Sequence, residues 1–307
     1  MSPIRGSPGK SNGYAIDHTT AASGYADQVH DQVDLDAYLA RIGHAGPVPP
    51  TLATLNALAA AHVQTIPFEN LDVLLGRPID LDLAALQAKL VTARRGGYCF
   101  EHNALFLAVL AQLGFDVRPL SARVRYQRAR AFTPARTHLF IRVELGESWL
   151  VDVGVGGMSA TAALRLADDG PQATPHEPRR IVREGGLLYD QVQLGGTWQD
   201  VKEFTLEEMP PIDRIVANWY TSTHPSSHFK NRLLVARATA DGGRIGLLDR
   251  DLSVRGADGV ATRTTITDHA MLERVLEARF GITLPAGSHV RWDGPDGDLP
   301  RTPAMAP

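Results

Sequence analysis

Cys99 is the only cysteine among 307 residues, and it stands in the run RRGGYCFEHN (94–103), directly after a Gly-Gly pair. A helical pattern opens at the same point: Leu105, Phe106, Val109, Leu110 and Leu113 share one face before Gly114. Cys99 is therefore expected in the first turn of a helix, where unpaired backbone N–H groups and the helix dipole favour an anion. Such a position predicts a lowered thiol pKa and donors for an oxyanion formed on an acylated sulfur. The same residue also reads as one more small buried hydrophobe, the usual fate of a lone cysteine.

A thiol nucleophile needs a base, and the base needs a group to orient it. His138 opens the apolar run THLFIRVEL (137–145), and Asp152 is the one charged residue between Val151 and Val153. A carboxylate in so apolar a segment is costly unless it is paired. Its partner is either an imidazole N–H from His138 or an arginine, and His138 alone also reads as a structural strand residue. The two are 152 − 138 = 14 residues apart, an even separation. A hairpin centred on Leu145 sets them opposite each other on one face, whereas a two-residue turn at Gly146-Glu147 separates them.

Other constellations are weaker. His224 and His228 have metal-like spacing, but Pro225 interrupts any helix between them and no third ligand follows, so no metal site is expected. No phosphate-loop or dinucleotide motif is present. VGVGG (153–157) reads as a strand end or as backbone open to close approach by a ligand. Arg123, Arg125, Arg128 and Arg130 read as a solvated strand end or loop rather than a phosphate site.

The elements that must position these residues change character along the chain. Helices are predicted over 34–43, with Asp34 and Gly43 as caps, over 51–66 with Thr51 as cap, over 82–93 and over 99–113. After Phe115 come the short runs VRPLSARVRY, THLFIRVEL, SWLVDVGV, RRIVRE, LLYDQVQL and TWQDVKEF, at the spacing of an antiparallel barrel or sandwich. NWYTSTHPSSHF reads as a helix end and loop. LLVARAT, GRIGLLDRDLSVRG and VATRTTI read as three more strands, and DHAMLERVLEARFG (268–281) as a last amphipathic helix. Residues 1–32 read as a flexible tail, and the Gly/Pro-rich end after Pro285 as peripheral.

A net charge of −3 offers no basic surface for nucleic acid or anionic lipid. A single cysteine, with neither a signal-peptide pattern nor an apolar run of membrane length, points to a cytoplasmic protein. Oligomeric state is not legible at this stage.

IPFENLD (66–72), RRGGYCFEHN (94–103), THL (137–139), VDVG (151–154) and STHPSSHF (222–229) occur in this order. With them the chain resembles the arylamine N-acetyltransferases, most closely the actinobacterial ones. The resemblance implies an α+β fold: an N-terminal helical bundle (33–117), a central antiparallel β-barrel (118–217) and a C-terminal α/β lid (218–307), on a cysteine-proteinase-like Cys–His–Asp core. It implies a ping-pong reaction, with acetyl-CoA as co-substrate and no permanently bound cofactor. An arylamine, arylhydrazine or N-hydroxyarylamine takes the acetyl group from the cysteine. The carried-over triad is Cys99, His138 and Asp152, with Glu69 and Arg95 as a structural ion pair. Phe68, Phe100, Thr137 and Val155 are the expected substrate contacts, and Gly154, Gly156, Thr223 and Ser226 the expected coenzyme A contacts. Val155 departs from the phenylalanine common after VDVG, which removes a stacking surface and enlarges the pocket. The order Cys–His–Asp also suits a transglutaminase or papain-like peptidase without coenzyme A; within the resemblance the rival is a polyketide amide synthase, and a silent binding module is disfavoured because every triad position is filled.

Overall fold

A computed structural model describes residues 32–285, 287–288 and 290, so nearly all of the expected tail and of the expected peripheral end lies outside the described residues. The chain begins in helices whose caps are written locally. In α1 (Leu35–Ile42) the Asp34 carboxylate accepts the Ala37 N–H at 2.9 Å, and Gly43 ends the helix in a left-handed conformation. Thr51 caps α2 (Leu52–Thr65) in the same way through the Thr54 N–H. After β1 (Phe68–Glu69) and the single turn α3 (Leu71–Leu74), α4 (Leu83–Leu86) widens into a π-helical stretch, Gln87–Thr92. The helix α5 (Cys99–Gln112) follows. Leu55, Leu58, Leu90, Leu105, Phe106 and Val109, all fully buried, bind the bundle into one core.

Seven antiparallel strands form the central sheet: β2 (Asp116–Val124), β3 (His138–Glu144), β4 (Ser148–Val151), β5 (Leu164–Arg165), β6 (Arg179–Glu184), β7 (Leu187–Leu194) and β8 (Thr197–Glu208). Their order is β5-β4-β3-β2-β8-β7-β6. The sheet curls until its edges approach, through a bridge between Gln172 and Arg179 and an Arg183 hydrogen bond to the Leu166 carbonyl at 2.6 Å. Side chains alternate along each strand, so Leu120, Ala122, Phe140, Leu150, Ile181, Leu188 and Phe204 turn inward and fill this nearly closed barrel.

The helices α6 (Pro211–Thr223) and α7 (His228–Asn231) lead to a second sheet. It contains β9 (Leu234–Ala238), β10 (Arg244–Leu248), β11 (Asp251–Arg255) and β12 (Ala261–Thr265), in the order β1-β9-β10-β11-β12. The segment GRIGLLDRDLSVRG is thus a hairpin of two strands, not one, turning at Asp249 in a left-handed conformation. Its fifth strand comes from the first third of the chain, with Phe68 paired to Ala236. Helix α8 (His269–Val275), capped by Asp268 and extended by a π-helical stretch to Phe280, packs Leu272, Leu276 and Phe280 over Val235, Ile245 and Leu247. Two expected segment boundaries fall inside elements, 117/118 in β2 and 217/218 in α6. No helix among the described residues is long and apolar enough to cross a membrane.

Candidate active site

The turn before α5 is shaped by close approach. A Cβ on Gly96 would lie 2.0 Å from the Pro67 carbonyl oxygen and 2.7 Å from Glu69 Cγ, so only glycine fits. The Gly97 carbonyl accepts the Glu69 N–H at 2.7 Å, which joins this turn to β1. Tyr98 is the N-cap of α5, and its N–H donates to Glu101 Oε2 at 2.9 Å. Beneath the turn, Arg95 donates to Glu69 Oε1 at 2.7 and 3.1 Å and reaches Asp72 at 3.3 Å. Lys89 bridges Asp72 at 2.7 Å and Glu101 at 2.6 Å. The expected Glu69–Arg95 pair is therefore two members of a largely buried five-charge cluster. Burial pushes the Glu101 carboxyl up to about 7, against the pull of Lys89.

Cys99 opens α5, as the pattern predicts, and is 4% exposed. Its thiol donates to the Thr137 carbonyl at 3.6 Å. The expected fall in thiol pKa is reversed. Burial pushes the thiol up to about 12, and the negative charge of Asp152 adds to this, although the backbone N–H groups of Leu139 and Phe100 favour the anion. Desolvation outweighs the helix N-terminus, so a thiolate forms here only if a neighbour takes the proton.

His138 and Asp152 are that neighbour and its holder: His138 Nε2 lies 2.7 Å from Asp152 Oδ2, with both side chains 2% exposed. The register between β3 and β4 runs from Ile141–Val151 to Glu144–Ser148, so the hairpin is centred on Gly146 rather than Leu145. Asp152 lies one residue past the end of β4, not inside it. Extended by one step on this face, the register sets Asp152 across from Phe140 and diagonal to His138, a pairing that neither anticipated hairpin described. With Nε2 engaged by the carboxylate, Nδ1 is the ring nitrogen left to exchange a proton with sulfur.

Four donors surround Asp152. Oδ2 takes His138 and Lys202 Nζ, the latter at 2.9 Å; Oδ1 takes Asn103 Nδ2 at 3.1 Å and the Gly154 N–H at 3.1 Å. Burial alone would raise this carboxyl, but His138 and Lys202 hold it well below the usual carboxylate range. The partner is thus a histidine and a lysine, not an arginine.

Asn103 and Lys202 were not singled out from the sequence. A signal existed for each. Asn103 follows Cys99 by one helical turn on the same face. Lys202, one of four lysines, lies two residues before the inward Phe204 and so shares its face.

The other expected contacts divide. Phe68 (7% exposed) joins Cys99 in one apolar cluster and packs against Phe229, whose ring centroid is 6.1 Å away. Phe100 is fully buried against Tyr98 and presents no surface. Thr137 and Val155 are half-buried, and the Val155 N–H donates to Ser159 Oγ at 3.0 Å. Gly154 is buried, and its lack of a side chain is required by the protein itself. A Cβ there would lie 2.6 Å from Asn103 Nδ2 and 3.0 Å from Cys99 Cα. Gly156 lies half-buried beside the Phe68 ring. Thr223 and Ser226 are exposed at the end of α6 and in the following turn, with local hydrogen bonds to Trp219, Tyr220 and His224.

The N-acetyltransferase family model matches residues 51–289. The arylamine N-acetyltransferase of Mycolicibacterium smegmatis is 46% identical over 263 residues, covering 82% of this chain and 93% of its own length. The Escherichia coli arylamine N-acetyltransferase is 40% identical over 256 residues, 83% of this chain and 91% of that protein. Among solved structures, the arylamine N-acetyltransferase of M. tuberculosis superposes with a TM-score of 0.78 at 45% identity, covering 81% of this chain and 94% of that one. The Mycobacterium marinum arylamine N-acetyltransferase in complex with CoA gives a TM-score of 0.78 at 42% identity, covering 81% and 93%. These matches over most of the chain make the protein an acyltransferase. The chain belongs to the arylamine N-acetyltransferase family.

Proposed function

We propose that this enzyme carries the acetyl group of acetyl-CoA as a thioester on Cys99 and passes it to an arylamine, arylhydrazine or N-hydroxyarylamine. The observation that carries the reading is a buried thiol at a helix start in a chain whose carboxylate-held imidazole has one ring nitrogen free for proton exchange. His138 Nδ1 takes the Cys99 proton, and Asp152, ionised throughout, steadies the imidazolium through Nε2–H. The thiolate then attacks the thioester carbonyl, and the N–H groups at the start of α5 stabilise the oxyanion. Collapse of that adduct expels the coenzyme A thiolate, which takes the proton from His138. The incoming amine, weakly basic and neutral near pH 7, attacks the acetyl-cysteine and gives its proton to His138; the C–S bond then breaks, releasing the amide and the Cys99 thiolate, to which His138 returns the proton. Thioester exchange is close to balanced, so positioning accounts for most of the catalysis.

Phe68, Thr137 and Val155 are assigned to the acceptor side, and Gly156, Thr223 and Ser226 to the coenzyme A side. Gly154 and Phe100 act by packing, Glu69 and Arg95 by bracing the turn. A single buried thiol suits a reducing cytoplasm.

Mixing the protein with acetyl-CoA and measuring intact mass tests the reading. A gain of about 42 Da, one acetyl group held covalently, is expected, absent from Cys99→Ala and discharged by an arylamine. A folded protein that gains no mass refutes it.

A further inference from the structure

The inward faces of five barrel strands end in charge. His138 lies two residues before the inward Phe140, Asp152 two after Leu150, Lys202 two before Phe204, Asp190 two after Leu188, and Arg179 two before Ile181. With a side-chain period of two, each shares its neighbour's inward face. The five form one buried line. His138 meets Asp152 at 2.7 Å, Asp152 meets Lys202 at 2.9 Å, Lys202 meets Asp190 at 2.7 Å, and Asp190 meets Arg179 at 3.1 Å. No side chain in the line is more than 3% exposed. The Lys202 ammonium also lies 5.0 Å from the Phe140 ring centroid, and Arg179 donates to the Met158 carbonyl.

We propose that Lys202, held by Asp190 and Arg179, is a positioning residue that fixes the Asp152 carboxylate and balances its charge, so that the His138 imidazole is held where it can take the Cys99 proton. The proposal rests on the reading of Cys99, His138 and Asp152 as the reacting set. Arg179 and Lys202 are cations, Asp190 and Asp152 anions, and together they sum to zero. A proton on His138 then leaves one uncompensated positive charge in a dry site unless Cys99 is a thiolate. Protonation of the imidazole is thereby tied to ionisation of the sulfur. Without Lys202 the set carries one net negative charge near the sulfur, which opposes its ionisation. The charged and titratable groups around this set are Cys99 from α5, with Tyr98 before it and Glu101 two residues after it, His138 from β3, Lys202 from β8, Asp190 from β7 and Arg179 from β6, with Glu177 and Arg244 acting on Arg179.

The test measures the rate of Cys99 alkylation by iodoacetamide against pH, by intact mass on the full chain. This needs no acetyl-CoA. Native protein is expected to show a rise in alkylation that His138→Ala abolishes near neutral pH. If that control shows no dependence on His138, the reading of the reacting set itself fails. Given that dependence, Lys202→Met is expected to move the rise alkaline by about one pH unit or more, and Asp190→Asn to move it acid, because each deletes a buried charge of opposite sign. Lys202→Met combined with Asp190→Asn restores the balance and returns the rise toward the native position. Folding is followed by circular dichroism, and should Lys202→Met not fold, the acid shift of Asp190→Asn decides. Unmoved profiles, or shifts of the same sign, overturn the proposal. Failure of both variants to fold also overturns it, since the line would then be a brace only.

Discussion

Asn103 Nδ2 lies 3.1 Å from Asp152 Oδ1, and the Asn103 carboxamide oxygen accepts the Val153 N–H at 3.2 Å. Its Nδ2 also donates to the Leu139 carbonyl at 2.7 Å. One side chain, a helical turn after Cys99, thus ties the helix start to β3 and to the segment after β4. The distance between sulfur and imidazole depends on this clamp.

Asn103→Leu removes it and leaves the Val153 N–H and the Leu139 carbonyl without their partner. Each buried group left unsatisfied costs about 1–3 kcal/mol. A fall in urea midpoint with unchanged slope is expected, together with slower acetylation of Cys99. Equal stability and rate to the native chain would contradict the clamp.

Gly154→Ala places a Cβ against Asn103 and the Cys99 backbone. Overpacking of this kind costs about 1–3 kcal/mol. Because the displaced atoms are those that hold the sulfur, the acetylation rate is expected to fall more than the affinity for acetyl-CoA. A loss confined to affinity would place Gly154 at the ligand instead.

With its thiol pushed up to about 12 by burial, Cys99 left to itself would be thiolate in about one part in 10⁵ at pH 7. His138→Ala, which leaves it to itself, is expected to slow alkylation near neutral pH by orders of magnitude and to regain rate as pH rises. A variant that alkylates at the native rate at pH 7 would show that the helix start ionises the sulfur unaided.

Acid stability depends on a second buried line. Tyr38 Oη meets His62 Nδ1 at 2.8 Å, His62 Nε2 meets His102 Nδ1 at 2.8 Å, and His102 Nε2 meets the Pro67 carbonyl at 3.1 Å. Carbonyl oxygens only accept, so His102 carries its proton on Nε2, His62 on Nε2, and Tyr38 donates. Burial lowers His102 from 6.5 to about 4 and holds His62 well below its usual value. The unfolded chain therefore binds more protons than the native one between about pH 6.5 and 4. The stability these two histidines contribute is complete above 6.5 and lost as pH falls through that window, by about 3 kcal/mol for His102. Glu101, pushed up to about 7, acts in the opposite sense above its ordinary value of 4.5, but one carboxyl is outweighed by two histidines. Thermal midpoints across pH 4–7.5 are expected to fall toward acid. His62→Gln with His102→Gln should reduce that slope, leaving the part due to His228, which burial also lowers to about 4, and a slope unchanged in the double variant would place the acid sensitivity elsewhere.

What local chemistry decides was legible along the chain. Asp34, Thr51 and Asp268 cap the helices they precede, and Gly43 and Gly281 end theirs left-handed. The order of the five motif blocks carried the family, and with it the choice among the acyl-transfer and peptide-directed readings that Cys99, His138 and Asp152 alone left open. β1 was invisible because it is two residues long and owes its pairing to β9, far away in sequence. Hairpin register was also out of reach, because centring on Leu145 or on Gly146 keeps the same face and differs only in which residues meet.

The sequence by itself determined that Cys99 begins a helix, which follows from short-range periodicity, whereas the shared face of His138 and Asp152 depended on the turn between β3 and β4. Only the tertiary structure decided the state of the sulfur. Burial and long-range charge set its proton affinity, against the helix dipole that the sequence makes visible. The same holds for Lys202: its strand parity is written in the sequence, but its partners Asp152 and Asp190 meet it only once the barrel closes.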